Sequence, residues 1–239
     1  MIDDAGSPPP ERGREVDRIK AVYRARDAGR SRHPAIAEAY RRLNAERLQR
    51  MAVLIRTVAP PPDGRIVDVG CGTGYDLGRW IEAGWTAERL AGVDLSEERV
   101  QRAREAVPGV DIRLTSGTEL PHADQAFDVA TAVTVFSSIL DRSLRRTLFQ
   151  EMQRVVGPGG LVIVYDFVVR KPTNSSVRGL SLKVLGELGR PPDGSMRLSP
   201  LLQLVAAGAL IHPRLADLAW RVAPRTHRLS WWRVGGQPA

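Results

Sequence analysis

The stretch IVDVGCGTGYDL at residues 66–77 concentrates the chemistry of this sequence. An apolar, β-branched run leads into Gly70, Gly72 and Gly74, then into a helix-compatible segment. Glycines at such spacing let a loop turn sharply and let a ligand lie against backbone. The order is G-x-G-x-G, and Tyr75 stands where a dinucleotide signature would place its last glycine. Asp68, two residues before Gly70, adds a carboxylate that repels a phosphate. The loop therefore suits a ligand with a cationic group nearby rather than a pyrophosphate. Asp94 is a second acid, 20 residues after Gly74 at the end of LAGVD. A carboxylate there can accept both hydroxyls of a ribose, or it can cap the helix that follows Ser96.

These residues need elements to hold them. Ile66–Val69, Leu90–Asp94, Val110–Thr115, Ala126–Val133 and Leu161–Val168 read as strands. Between them, Tyr75–Ala83, Ser96–Ala106 and Arg142–Val156 read as helices. Ser96 is the N-cap of the second, with Glu97 and Glu98 in its first turn, and GPGG ends the third. The alternation predicts an α/β fold with a Rossmann-like, doubly wound, mostly parallel sheet. Upstream, residues 1–12 read as a disordered tail and 14–29 as helix-compatible. Beyond Pro34, Ile36, Tyr40, Leu43, Arg47, Met51, Leu54 and Val58 recur at three- and four-residue steps, a helix that APPPDG (59–64) stops. Tyr40 is expected in the core. Downstream, Ser176–Leu188 reads as a helix, Met196–Ser199 as a short strand, Pro200–Val222 as helix broken at Pro213, and His227–Val234 as a last strand.

The 239 residues are 43% hydrophobic and 26% charged, an ordinary globular composition. No run of 18 apolar residues predicts a spanning helix. The opening MIDDAGSPPPERGRE lacks the layout of a secretory leader, so a cytoplasmic location is expected. The single cysteine, Cys71, excludes an intramolecular disulfide and reads as a small buried side chain. His33, His122, His212 and His227 show no metal-ligand spacing, so no metal is expected. The net charge of +8 divides into +5 over 1–56, −5 over 57–166 and +8 over 167–239. Basic flanks suit an anionic partner: a charged substrate, a membrane surface or nucleic acid. An aromatic content of 5% and the lack of a recognisable module disfavour nucleic acid.

In combination, VDVGCGTG (67–74), GVDLS (92–96), ELPHADQAFDVATAVTVFSSILD (119–141) and MQRVVGPGGLVIVYD (152–166) resemble the class I S-adenosylmethionine-dependent methyltransferases. The likeness is to the small-molecule type, similar to quinone-biosynthesis enzymes, and spans roughly residues 60–170. It implies S-adenosyl-L-methionine as cofactor, S-adenosyl-L-homocysteine as product, an antiparallel strand at the C-terminus and an N-terminal helical lid. It divides the chain into a tail and lid (1–58), a cofactor-binding α/β core (59–170) and a C-terminal part of the same domain (171–239). It implies that Gly70, Gly72 and Gly74 lie under the methionine and sugar, and that Asp68 helps hold the cofactor's amino group. Asp94 takes the ribose hydroxyls, Leu95 packs beside the adenine, and Val133 and Thr134 border the sulfonium. Two departures matter. The family's adenine-reading acid is replaced in Thr115-Ser116-Gly117, which leaves Ser116 and the Gly117 backbone to that task. Ser137 and Ser138 stand where many relatives have paired histidines, which removes a histidine base.

Methyl transfer from a sulfonium loses charge in the transition state, so positioning dominates. With a hydroxyl acceptor, a base helps to remove the proton. Asp166 and Tyr165, at the end of the fifth strand, and His122 are the candidates, with His33 a further one. Asp166 reads equally as a capping or Arg-paired carboxylate, and His122 as a surface-loop residue. Tyr23, Ser137, Ser138, Asn174 and Arg178 are the residues expected at the acceptor. Trp220, Trp231 and Trp232 are expected to pack the C-terminal segment. The run LLQLVAAGALI (201–211) is too short to span a bilayer; it suits burial, a subunit contact or a lipid surface. The expected function is methyl transfer to an oxygen of a small molecule in a secondary-metabolite or surface-polysaccharide pathway. Lipid-linked or nucleic-acid acceptors, or cofactor binding without turnover, are the rivals. A nicotinamide dehydrogenase fails on the loop spacing.

Overall fold

The computed structural model describes residues 10–28, 34–168 and 176–235. The tail before residue 10, His33 and Asn174 lie outside them. The strands are β1 Ile66–Val69, β2 Leu90–Asp94, β3 Asp111–Leu114, β4 Phe127–Val133, β5 Val156–Phe167, β6 Gly194–Pro200 and β7 Arg225–Arg233. They form one sheet in the order β3-β2-β1-β4-β5-β7-β6. β1 to β5 pair in parallel. β7 runs antiparallel to both β5 and β6, so it alone is reversed and β6 points the same way as β5. The strand order turns back between β1 and β4, and ligands of doubly wound sheets bind at the carboxyl ends beside such a switch point.

The helices are α1 Pro10–Ala28, α2 Pro34–Arg56, α3 Tyr75–Glu82, α4 Glu97–Ala106, α5 Arg142–Val155, α6 Leu182–Gly186, α7 Leu202–Ile211 and α8 Pro213–Val222. β1 and β2 are buried at every position, because helices cover both faces; Asp68 and Asp94 are the acids in otherwise apolar runs. One face packs α2, α3 and α4 through Met51, Ile55, Leu77, Trp80 and Val100. The other packs α5, α1 and the α6 segment through Ile19, Phe149, Met152, Leu185 and Trp232. A third cluster joins α2 to α7 and α8 through Ala39, Leu43, Val205 and Trp220. Asp141 accepts from the Leu144 N–H at 2.7 Å and so caps α5, an interaction typically worth about 1 kcal/mol.

Several expectations need correction. The helix before GPGG ends at Val155, one residue earlier than expected, and Gly157–Gly160 lie inside β5. The register jumps there from Phe127 against Val156 to Val129 against Leu161, so these residues form a bulge. Within 176–188 only α6 is helical. Tyr40 is 52% exposed, because the buried stripe of α2 runs through Ala39, Leu43, Arg47, Met51 and Ile55 instead. Trp220 and Trp232 are buried, as packing of the C-terminal segment requires. Among the described residues, no helix is long and apolar enough to cross a membrane.

Candidate functional site

Four loops meet at the carboxyl edge of the sheet: those after β1 (70–74), β2 (94–96), β3 (115–117) and β4 (134–138). Gly70, Gly72 and Gly74 all have positive φ, at 76°, 57° and 82°. A Cβ on Gly70 would lie 2.4 Å from Val135 Cγ2, so the first loop can close on the β4 turn only with glycine there. The Gly72 N–H donates to Asp94 Oδ2 at 2.9 Å, and the Ser96 N–H donates to Oδ1 at 2.9 Å. Each oxygen of this buried carboxylate is thus fixed by one backbone donor and keeps a lone pair free. The N-cap of α4 is Ser96, whose Oγ accepts from the Arg99 N–H.

Beneath the loop lie two more buried acids. Asp68 accepts from Thr131 Oγ1 at 2.7 Å. Burial raises its pKa to about 8; the neighbouring Asp76 and Asp94 charges add to this, and Thr131 and Arg47 oppose it. Asp76, in the first turn of α3, receives both Nη atoms of Arg47 at 2.6 and 2.7 Å. Arg47 is 2% exposed and lies over the Tyr165 ring at 5.5 Å. Asp68 therefore holds a proton near neutral pH, and a cation placed beside it would draw it into its ionised form. That fits a ligand carrying a cationic group. Sequence reasoning missed the Arg47–Asp76 pair, although an arginine inside the apolar stripe of α2 was its signal.

Above the loop, Val69, Leu95, Gly117, Val135, Ile139 and Leu148 line an apolar cavity with Asp94, Ser96 and Ser116 at its rim. Its volume is about 60 Å³, well short of the roughly 300 Å³ at which small-molecule sites begin. The reason is α1, which contributes Val16, Ile19, Lys20 and Tyr23 to the walls. The Tyr23 hydroxyl donates to the Thr134 carbonyl, 3.2 Å away, and lies 3.2 Å from Ser138 Oγ. The Arg99 guanidinium sits over the Tyr23 ring at 4.3 Å. Glu15 accepts from the Leu140 N–H and from Arg18, which also donates to the Ser138 carbonyl.

The structure brings most of the expected residues to this edge. Val133 ends β4, and Thr134 follows with φ of 56°, unusual for a residue with a Cβ. Ser116 is exposed and bonded to Thr118, and the Gly117 N–H donates to Thr115 Oγ1 at 3.2 Å. The backbone donor left for an adenine is therefore already engaged within its own loop. Ser137 is 1% exposed, and its N–H donates to Asp166 Oδ2 at 2.9 Å. Asp166 Oδ1 accepts from the Phe167 N–H at 2.8 Å, so this carboxylate clamps the β4 turn to β5. The Arg178 N–H donates to the Ser137 carbonyl, and its side chain is exposed.

Two candidates fall elsewhere. Tyr165 packs on the opposite face of the sheet from Asp166. Its hydroxyl meets Ser199 Oγ, its ring stacks on His227, and burial pushes its pKa up. His122 stands at the amino edge with Arg65, Leu90 and Asp111, across the sheet from the glycine loop. Its side chain is 5% exposed and set edge-on against Phe127, so it is neither an exposed loop residue nor near the cleft. Burial, then Arg113, lowers its pKa.

Comparisons with known proteins agree with this geometry. A family model described as a methyltransferase domain matches residues 66–160. An uncharacterized methyltransferase of Mycobacterium leprae is 30% identical over 85% of this chain and 78% of its own length. A ubiquinone/menaquinone biosynthesis C-methyltransferase of Geotalea daltonii is 30% identical over 47% of this chain and 49% of its own. The chain covers 33%, 49%, 64% and 47% of the length of the first four curated relatives it matches. The crystal structure of a geranyl diphosphate C-methyltransferase from Streptomyces coelicolor, in complex with Mg2+, geranyl diphosphate and S-adenosyl-L-homocysteine, shares the fold. Its TM-score is 0.58 at 18% identity, over 86% of each chain. The glycine loop over buried acid, the fixed Asp94 carboxylate, the strand order and the near full-length relative lead to one conclusion: this chain belongs to the class I S-adenosylmethionine-dependent methyltransferases.

Proposed function

We propose that the protein transfers a methyl group from S-adenosylmethionine to an oxygen of a small-molecule acceptor. The observation that carries this reading is the Asp94 carboxylate, held by the Gly72 and Ser96 N–H groups at the lip of an apolar cleft. Its two free lone pairs match two vicinal hydroxyls, Leu95 and Val135 supply apolar walls for a flat base, and Asp68 lies where a cation would stabilise its ionised form. When bound, the cofactor supplies a methyl on cationic sulfur.

The acceptor's lone pair forms the new carbon–oxygen bond while the carbon–sulfur bond breaks and its electrons stay on sulfur. Asp166 acts here as a positioning residue: it is buried, and its two oxygens tie the Ser137 N–H of the β4 turn to the Phe167 N–H of β5. Tyr165 is turned to the other face. The acceptor therefore gives its proton to solvent, which favours an acidic hydroxyl such as a phenol or enol over a sugar alcohol. Entry of the cofactor requires α1 to withdraw Ile19 and Tyr23 from the cleft.

Calorimetric titration tests the reading. S-adenosylmethionine and S-adenosylhomocysteine should bind saturably and NADH should not. Failure of both, in wild type and in an Ile19→Ala/Tyr23→Ala variant that empties the cleft, would overturn it.

A further inference from the structure

The α7–α8 hairpin inverts the usual pattern of a surface helix pair. The outward face of α7 carries Leu204, Leu210 and Ile211, which are 47%, 60% and 76% exposed. On α8, Leu215, Leu218 and Val222 follow at helical spacing and are 42%, 54% and 71% exposed. The two sets belong to one body. A Cβ on Gly208 would lie 2.8 Å from the Leu215 backbone, so α7 and α8 touch where only glycine fits. Single exposed apolar side chains need no explanation, but six on one hairpin do. The inner face, with Val205, Ala206 and Trp220, is already spent on α2.

The charges around this face are mainly of one sign. α7 has no charged residue at all. Between residues 194 and 233 the only acid is Asp217, against six arginines. Asp217 is paired at 2.7 Å with Arg42 of α2. Arg214 and Arg221 are exposed and lie on the α8 stripe beside the apolar one. Two turns apart, on either side of Asp217, they stand as cations along the margin of a hydrocarbon face. The hairpin connects the end of β6 to the start of β7, and β6 runs with the parallel strands. It therefore rises from the same edge of the sheet as the glycine loop and Asp94.

We propose that the α7–α8 hairpin docks this protein on an anionic lipid surface. Its apolar face enters the boundary between headgroups and acyl chains, and Arg214 and Arg221 meet the lipid phosphates. α7 is about 15 Å long, half the hydrocarbon thickness of a bilayer, so it lies in the interface and does not cross. A bilayer is favoured over a second copy of the chain, because an isologous contact would bring two rows of unpaired arginines together. The docking stands independently of the methyl-transfer reading, and it places the open edge of the cleft toward amphiphilic acceptors.

Co-sedimentation of the full chain with vesicles tests the proposal. Vesicles of three parts phosphatidylcholine to one of phosphatidylglycerol should bind the protein at low salt; phosphatidylcholine alone should bind it weakly. Leu210→Glu/Ile211→Glu should lower the partition coefficient more than about tenfold, and Arg214→Gln/Arg221→Gln should remove the preference for anionic lipid. Both variants alter exposed side chains, so unchanged melting and unchanged S-adenosylhomocysteine titration should accompany the loss. No binding of the wild type to anionic vesicles, or binding indifferent to Leu210→Glu/Ile211→Glu, would overturn the proposal. So would a wild-type dimer in light scattering that the same variant makes monomeric without any vesicle binding.

Discussion

Asp94 holds a backbone N–H on each oxygen before any ligand arrives, so its orientation carries little entropic cost on binding. Hydrogen bonds to a charged group contribute roughly 1.5–3 kcal/mol. Asp94→Ala should therefore weaken S-adenosylhomocysteine about 10- to 100-fold, measured by calorimetry, while far-UV circular dichroism stays native. Asp68 gives a pH prediction. Its folded pKa is raised to about 8, from near 4 in an unfolded chain. Stability linked to its neutral form is thus full at low pH and is lost as pH rises toward 8. Asp68→Asn should remove that slope, so without cofactor it should melt higher than wild type at pH 8.5 and similarly at pH 5. Among the described residues, Arg47 is the guanidinium matched to the buried Asp76. Arg47→Ala leaves that carboxylate unpaired beside Asp68 and should cost about 3–5 kcal/mol in denaturant unfolding. A variant replacing both partners with leucine should recover much of the loss, because it strands no charge.

At the scale of elements, α1 is the weakest attachment near the cleft. Among its described side chains only Ile19 is buried, and the rest of its hold comes from polar contacts of Glu15, Arg18 and Tyr23 to residues 134–141. Few buried apolar contacts mean low local stability. Tyr23→Ala should raise the S-adenosylhomocysteine association rate several-fold in stopped-flow fluorescence and speed amide exchange across residues 13–25. An unchanged rate with unchanged exchange would show that α1 does not gate the cleft. The contrast with α2 is physical: α2 buries six described side chains, Arg47 among them, and joins two core clusters.

The whole molecule divides its tasks between the two sides of the switch point. β1 and β2 carry the glycine loop and Asp94, while β6, β7 and the hairpin between them form a separate surface on the same edge. Gly208→Val should therefore lower the melting temperature by separating α7 from α8, and leave the S-adenosylhomocysteine titration unchanged. What the sequence determined by itself was local and near the loops. Strands such as Ile66–Val69 and Leu90–Asp94, the Ser96 cap, the three glycines and Asp94 were legible because backbone turns and short-range caps demand particular residue types. Only the tertiary structure decided which distant side chains meet. It paired Arg47 with Asp76, 29 positions apart, and tied Asp166 to the Ser137 N–H. It sent His122 to the far edge and Tyr165 to the other face, and left Tyr40 outside while Arg47 went in. Periodicity places a residue on a face to within a position or so, but burial depends on what packs against that face. That partner is chosen by the sheet order, which no local run of residues encodes.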